Sequence, residues 1–219
     1  MSMALLVCVE GLDGAGKTTL VQGLVAALAA QGVRAASFHS RSLAQLSLGE
    51  REPELGGGAL SLQDKAFVAY SRLHSYYRDH VIGKLAGADL VLLDRYKWSF
   101  LVRWGCLGVS WGLLCSLAKT IDIAPDPEHT LLVAVPPQEA YARKKAAGIA
   151  LSRAELALLS KAASEREAFM ALQSRALGFY EDLCSHAREG SVTQLDSMRG
   201  AQQVQEEALA VLKALLERR

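Results

Sequence analysis

One run in this chain has the residue types and spacing that grip phosphate: Gly11-Leu12-Asp13-Gly14-Ala15-Gly16-Lys17-Thr18-Thr19. It fits the pattern G-x-x-x-x-G-K-[ST], down to the final hydroxyl. Its glycines let backbone N–H groups turn inward and approach phosphate oxygens closely. A helix opening behind the loop would present its positive end to the same anion. Lys17 is expected to reach the β- and γ-phosphates of ATP, and Thr18 to offer its hydroxyl to Mg²⁺. The expected nucleotide-binding set is therefore Gly11, Asp13, Gly14, Ala15, Gly16, Lys17, Thr18 and Thr19. Asp13 stands out, because a carboxylate is electrostatically awkward beside a phosphate. It either accepts a hydrogen bond from a substrate hydroxyl, helps place the metal, or simply forms the turn.

A second acid follows an apolar run, in Leu90-Val91-Leu92-Leu93-Asp94-Arg95-Tyr96. In open α/β sheets, ligands collect outside the carboxyl ends of the strands. Asp94 then acts on Mg²⁺, directly or through water, and Arg95 neutralises a transferring or accepting phosphate. The structural alternative is an Asp–Arg pair that only caps the strand. Further on, Arg103 with Trp98, Trp104 and Trp111 forms a basic, aromatic region. It suits a planar or anionic acceptor, although tryptophan packing is the simpler reading for Trp111. The basic run Arg143-Lys144-Lys145 is either a solvated helix face or a cap over phosphate. The histidines are scattered and lack zinc-ligand spacing.

These residues need a scaffold that alternates strand and helix. Short apolar runs predict strands over 4–9, 33–38, 89–93, 130–135 and 192–195. Helical periodicity covers 18–31, 62–85 with a break near Gly83, 138–147 and 202–218. The stretch 99–120 reads as mostly helical but is weakened by Gly105, Gly108 and Gly112, and 151–185 as helical with breaks. Residues 42–60, with Pro53 and the run Gly56-Gly57-Gly58, read as a long connection. The expected fold is α/β: a three-layer P-loop sandwich with a mainly parallel, five-stranded sheet and helices on both faces. Residues 1–219 form one domain of this kind, which suits the length.

Composition narrows the class of protein. With 51% hydrophobic and 21% charged residues, the chain can bury a large core. A formal net charge of +1 gives no global attraction to nucleic acid or membrane. No apolar stretch is long enough to span a bilayer, and no basic stretch marks a secretory leader. The four cysteines form no C-x-x-C pair, so a reducing cytoplasm is the expected location.

The phosphate loop together with Asp94-Arg95-Tyr96 resembles the thymidylate kinase family. The resemblance runs through residues 68–72, 131–148 and 165–183, and so over most of the chain. It implies a nucleoside-monophosphate kinase of nucleotide biosynthesis that uses ATP and Mg²⁺ to phosphorylate dTMP or a related nucleotide, as a homodimer. It implies that Asp13 faces the acceptor's sugar hydroxyl, Arg95 holds its phosphate and Arg72 reads its base. Arg143, Lys145 and Arg153 would belong to a lid, over about 140–165, that closes on the transferring group. Lys17, Asp13, Arg95, Arg143 and Arg153 become the expected catalytic residues. Arg41, Val68, Arg72, Arg95, Tyr96, Ser99 and Arg103 become the acceptor-binding set, and Thr18 and Asp94 the metal set.

The departures from the family fall on the acceptor side. The usual Thr-Arg-Glu-Pro-Gly is replaced by Ser40-Arg41-Ser42-Leu43 after Phe38-His39. Val68 stands where an aromatic stacks on thymine, and Arg103-Trp104-Gly105 stands in place of Tyr-Gln-Gly. A kinase of the same fold acting on another small molecule, or a non-catalytic nucleotide-binding regulator, are the alternatives these departures raise.

Overall fold

The computed structural model describes residues 4–39, 60–121, 125–152, 155–156, 158 and 162–219. Arg41, Arg153 and, but for its last residue, the connection expected over 42–60 lie outside the described residues. Five strands form one sheet: β1 (Leu5–Gly11), β2 (Ala35–His39), β3 (Leu90–Asp94), β4 (His129–Ala134) and β5 (Val192–Asp196). Their order is β2-β3-β1-β4-β5, and every neighbouring pair is parallel. Parallel strands need crossovers, which is why helices separate them in the chain. The helices are α1 (Lys17–Ala29), α2 (Leu62–His80), α3 (Ile82–Leu85), α4 (Lys97–Leu107), α5 (Trp111–Thr120), α6 (Pro137–Ala146), α7 (Glu165–Ser185) and α8 (Ala201–Glu217).

The alternation of side chains along β1 and β3 divides the interior into two layers. Leu5, Val7, Val9, Leu90 and Leu92 pack with α1, α7 and α8, through residues such as Leu24, Leu28, Phe169, Ala208 and Leu212. Leu6, Cys8, Val91 and Leu93 pack on the other face against Tyr70, Leu73 and Tyr77 of α2 and against Leu101 and Leu114 of α4 and α5. The expected three-layer sandwich is therefore present, with all five strands parallel.

Three boundaries differ from the sequence expectation, each for a local reason. The helix expected over 99–120 is two helices, because Gly108 adopts φ 103° and its N–H closes α4 onto the Gly105 carbonyl. That left-handed cap is the habitual use of glycine after a helix. The break expected near Gly83 falls two residues earlier, at Val81. Within the helix expected over 151–185, the described residues are helical from Glu165, where the Ser164 hydroxyl accepts the Glu167 N–H as an N-cap. Among the described residues, no helix is long and apolar enough to cross a membrane.

Candidate active site

The loop between β1 and α1 is shaped by contacts that exclude a side chain. A Cβ on Gly14, at φ 87°, would stand 2.5 Å from the carbonyl oxygen of Ala140 in α6. One on Gly11, at φ 136°, would stand 2.4 Å from that of Val133 in β4. The loop thus rests on the backbone of the neighbouring crossover, and only glycine permits that approach. Lys17 opens α1 with its side chain buried, and its ammonium donates to the Leu12 carbonyl at 2.5 Å. Burial, and then the positive charge of Arg95, bring its pKa down to about 7. An anion held by the loop would reverse that shift.

Thr18, one residue on, joins the loop to the end of β3. Its hydroxyl donates to Asp94 Oδ2 at 2.7 Å. Asp94 is only 2% exposed, and its Oδ1 is buried with no hydrogen-bond partner among the described residues. A buried carboxylate oxygen left over in this way is suited to a hard cation, and a hydroxyl–carboxylate pair beside a phosphate loop is a usual Mg²⁺ arrangement. The residues expected to hold the metal therefore fit one. His39, at the end of β2, lies 3.2 Å from Asp94 Oδ2 and 3.3 Å from Thr18 Oγ1 through its Nε2. Sequence spacing could not reveal this, because β2 and β3 meet only in the folded sheet.

Arg95 sits just beyond β3 at φ 72°, the only described non-glycine residue at positive φ. Such backbone costs roughly 1–3 kcal/mol and persists where surrounding contacts over-determine it. Here the Arg95 N–H donates to Val9 O at 3.0 Å. Its guanidinium donates to the Gly11 carbonyl at 3.3 Å, to Ser99 Oγ at 3.1 Å and to the Asp13 carboxylate. Burial pushes the Asp13 carboxyl up, but Arg95 and then Lys17 more than offset this and hold it below its ordinary range. Lys144 adds to the same effect, so it is this member of the basic run whose charge reaches the loop. Gln173 of α7 fixes Asp13 further, accepting its backbone N–H at 3.1 Å and donating to Oδ2 at 3.4 Å.

Beneath this pair lies Glu10, 1% exposed, at the end of β1. Its Oε1 accepts the backbone N–H groups of Tyr96 at 2.8 Å and Ser99 at 3.1 Å. Its Oε2 accepts the Ser99 hydroxyl and, at 3.2 Å, the Tyr180 hydroxyl. Tyr180 also reaches the Gly11 carbonyl at 3.3 Å. Glu10, Gln173 and Tyr180 therefore organise the site without having been singled out in the sequence as its residues. The one available sign was an acid immediately before the loop, in a strand otherwise apolar.

A cavity opens between the loop, α4 and α7, lined by Asp13, Arg95, Ser99, Arg103, Gln173 and Tyr180 with apolar walls from Val102, Leu107, Leu172 and Ala176. Arg103 takes no hydrogen bond or ion pair among the described residues, while Asp13 and Arg95 both act on it electrostatically. Cys106 also borders the cavity, but burial pushes its thiol up to about 11. Burial and Glu10 push the Tyr180 hydroxyl well above its ordinary value. Neither group is a nucleophile near neutral pH.

The other expected residues lie farther out. Tyr96 is 3% exposed; its ring packs edge-on against Tyr77 with centroids 4.3 Å apart, and its hydroxyl donates to Pro125 O at 2.8 Å. Val68 is half-buried and Arg72 exposed on α2, and neither lines the cavity. Arg143 of α6 is turned toward the segment after β5, donating to the Ser197 hydroxyl at 3.1 Å and its carbonyl at 3.0 Å. Lys144 pairs with Glu155 at 2.6 Å, and Lys145 lies over the Tyr141 ring at 5.7 Å. Trp111 packs on Phe179 with centroids 4.5 Å apart and donates to Asp182 at 2.7 Å, as the packing reading expects.

A parallel sheet carrying a glycine loop, a lysine and a hydroxyl at one strand end, and an acid at the next, defines the P-loop kinase fold. Within that class, the family model described as thymidylate kinase matches residues 9–180, and the chain belongs to the thymidylate kinase family. It is 33% identical over 144 residues to proteins named thymidylate kinase from Xanthomonas euvesicatoria pv. vesicatoria (strain 85-10) and Xanthomonas oryzae pv. oryzae (strain PXO99A), covering 66% of this chain. A thymidylate kinase from Xylella fastidiosa (strain 9a5c) is 28% identical over 133 residues, or 61% of this chain. The matched stretch spans 62% of the length of each of these relatives.

Proposed function

We propose that this protein transfers the γ-phosphoryl group of ATP to a nucleoside monophosphate, with dTMP as the first acceptor to test. The observation that carries the reading is the electrostatics of the cavity beside the loop. Its only carboxylate among the described lining residues, Asp13, is paired with Arg95 and held below its ordinary range, so it is a poor base. An alcohol acceptor would need a base to remove its proton. A phosphate monoester needs none, because its second pKa is about 6 and it is already a dianion at neutral pH. Two guanidinium groups, Arg95 and Arg103, border the same space and suit that charge.

In this reading an oxygen of the acceptor's phosphate attacks the γ-phosphorus in line, and ADP leaves with the bridging oxygen. No covalent enzyme intermediate forms. A divalent ion, Mg²⁺ in this family, would offset charge on the donor's phosphates. Thr18 and Asp94 would hold it. Lys17 offsets charge on the β- and γ-oxygens, and Arg95 fixes the attacking phosphate. Asp13 remains able to accept a hydrogen bond from a sugar hydroxyl through the carboxylate edge that Arg95 leaves exposed. By the family resemblance, Arg143, Lys145 and Arg153 would belong to a lid over about 140–165 that closes to keep water from acting as acceptor. The resemblance also supports a homodimer working in the cytoplasm.

The test is a panel of nucleoside monophosphates and small alcohols with ATP, read by ADP release. Release at enzyme-like rates with dTMP supports the proposal. Release with alcohols alone, or with no acceptor at all, overturns it.

A further inference from the structure

Beside the residues that would hold the metal stands one that belongs to neither the loop nor the end of β3. His39 ends β2 and is the direct register partner of Asp94, which ends β3. Thr18 reaches both from the start of α1. Thr18 Oγ1, Asp94 Oδ2 and His39 Nε2 therefore form a triangle with sides of 2.7, 3.2 and 3.3 Å. Donors about 2.1 Å from an ion and at right angles to one another stand about 3.0 Å apart, so this triangle has the dimensions of one face of a coordination shell. The face is served by a deeply buried carboxylate whose second oxygen has no hydrogen-bond partner among the described residues. The His39 side chain is 32% exposed.

We infer that His39 is a nitrogen ligand of the nucleotide-bound cation, and that this site takes a first-row transition ion such as Mn²⁺ or Co²⁺ in preference to Mg²⁺. The inference rests on the phosphoryl-transfer reading, since the nucleotide must complete the shell. Among the described residues, no three His, Cys, Asp or Glu side chains converge to hold an ion unaided. Mg²⁺ keeps oxygen donors and gives up water reluctantly, so an imidazole adds little to its binding. First-row ions bind imidazole well, and their affinity for mixed nitrogen–oxygen sites rises along the series from Mn²⁺. One imidazole at an otherwise all-oxygen site would therefore change which ion is held most tightly, while the loop keeps its grip on the phosphates.

The test is pulsed electron paramagnetic resonance of the full chain with Mn²⁺ and a non-hydrolysable ATP analogue. The expected result is nitrogen modulation from a directly bound imidazole, altered when the protein is labelled with ¹⁵N-histidine and lost in both His39→Gln and His39→Phe. In those variants Mn²⁺ affinity of the analogue complex should fall on the order of tenfold, with Mg²⁺ affinity held within about twofold. An analogue complex that binds Mn²⁺ without imidazole modulation overturns the inference and leaves the kinase reading standing. Modulation that persists in both variants overturns the assignment to His39. An analogue that does not bind at all, measured separately by calorimetry, overturns the kinase reading and this inference with it.

Discussion

The two sides of the cleft are built by different means. In the proposed reaction the donor side is largely backbone: a loop seated on Val133 and Ala140, followed by the N-terminus of α1. Its few side chains stand at the ends of elements: Lys17 and Thr18 open α1, and Asp94 closes β3. The acceptor side is a mesh of side chains from distant stretches, in which Glu10, Ser99, Gln173 and Tyr180 position Asp13 and Arg95. A backbone-built site tolerates little change, because no other residue type fits a Cβ-free contact. A side-chain mesh can exchange members while its charge balance is kept. Of the departures from the thymidylate kinase pattern, Arg103 lines the cavity beside this mesh, whereas Val68 does not.

That contrast can be broken first at Lys17. We expect Lys17→Ala to lower turnover by about 10²–10³ or more, the scale of losing one charge-stabilising donor at a transition state. The loss should be equal for every acceptor, because the lysine serves only the donor. The measurement is kcat for several acceptors, with circular dichroism to check the fold. Unchanged turnover, or a loss that depends on the acceptor, would remove Lys17 from the donor side.

Glu10 sharpens the other half. In Glu10→Ala the N–H groups of Tyr96 and Ser99 and the Tyr180 hydroxyl lose a buried acceptor. At about 1–3 kcal/mol per stranded group, with partial relaxation, stability should fall by about 3 kcal/mol in chemical denaturation. Glu10→Gln keeps one acceptor oxygen and should lose about half of that. In the folded fraction the KM for acceptor should rise more than the KM for ATP. A variant as stable as the parent would show that the mesh is not held from below.

Arg103 gives a smaller and more selective effect. Arg103→Ala should raise the acceptor KM about tenfold, or about 1.4 kcal/mol, and leave the ATP KM within twofold. Equal changes in both constants would mean that Arg103 does not belong to the acceptor side alone.

The same contrast explains what could be read from the sequence. The loop, all five strands and the acid ending β3 were legible, because each is a local pattern of apolar runs and glycine spacing. Thr18 and Asp94 were legible as a pair because the loop motif requires a metal partner at a neighbouring strand end. Gln173 and Tyr180 were not, since nothing along α7 distinguishes them from ordinary helix residues until α7 packs beside the loop. His39 was hidden for a related reason: its partners are set by the register of β2 against β3. Arg143 was placed in a lid by the family resemblance, and only the structure shows it turned toward Ser197.

A further effect concerns protons and separates the sides by pH. Burial lowers the Lys17 pKa from 10.5 to about 7 in the folded protein. Between those values the unfolded chain holds a proton that the folded chain has released. Since the unfolded state binds more protons, stability rises with pH across that window. Lys17→Met abolishes this term, so the variant should gain most over the parent at or below pH 7 and progressively less toward pH 10. Denaturant midpoints at several pH values measure it. A polyphosphate beside the ammonium favours its charged form and restores the pKa. ATP binding at pH 8 should then take up protons, seen by calorimetry as a dependence of the binding heat on the buffer's ionisation enthalpy. Among its described lining residues the cavity has no lysine, and Arg95, held above its ordinary value by Asp13 despite burial, stays charged throughout. Acceptor binding at pH 8 should therefore take up no proton through Lys17 once the donor is in place. Equal proton uptake by donor and acceptor, or uptake that survives Lys17→Met, would show that the buried ammonium serves both halves of the cleft.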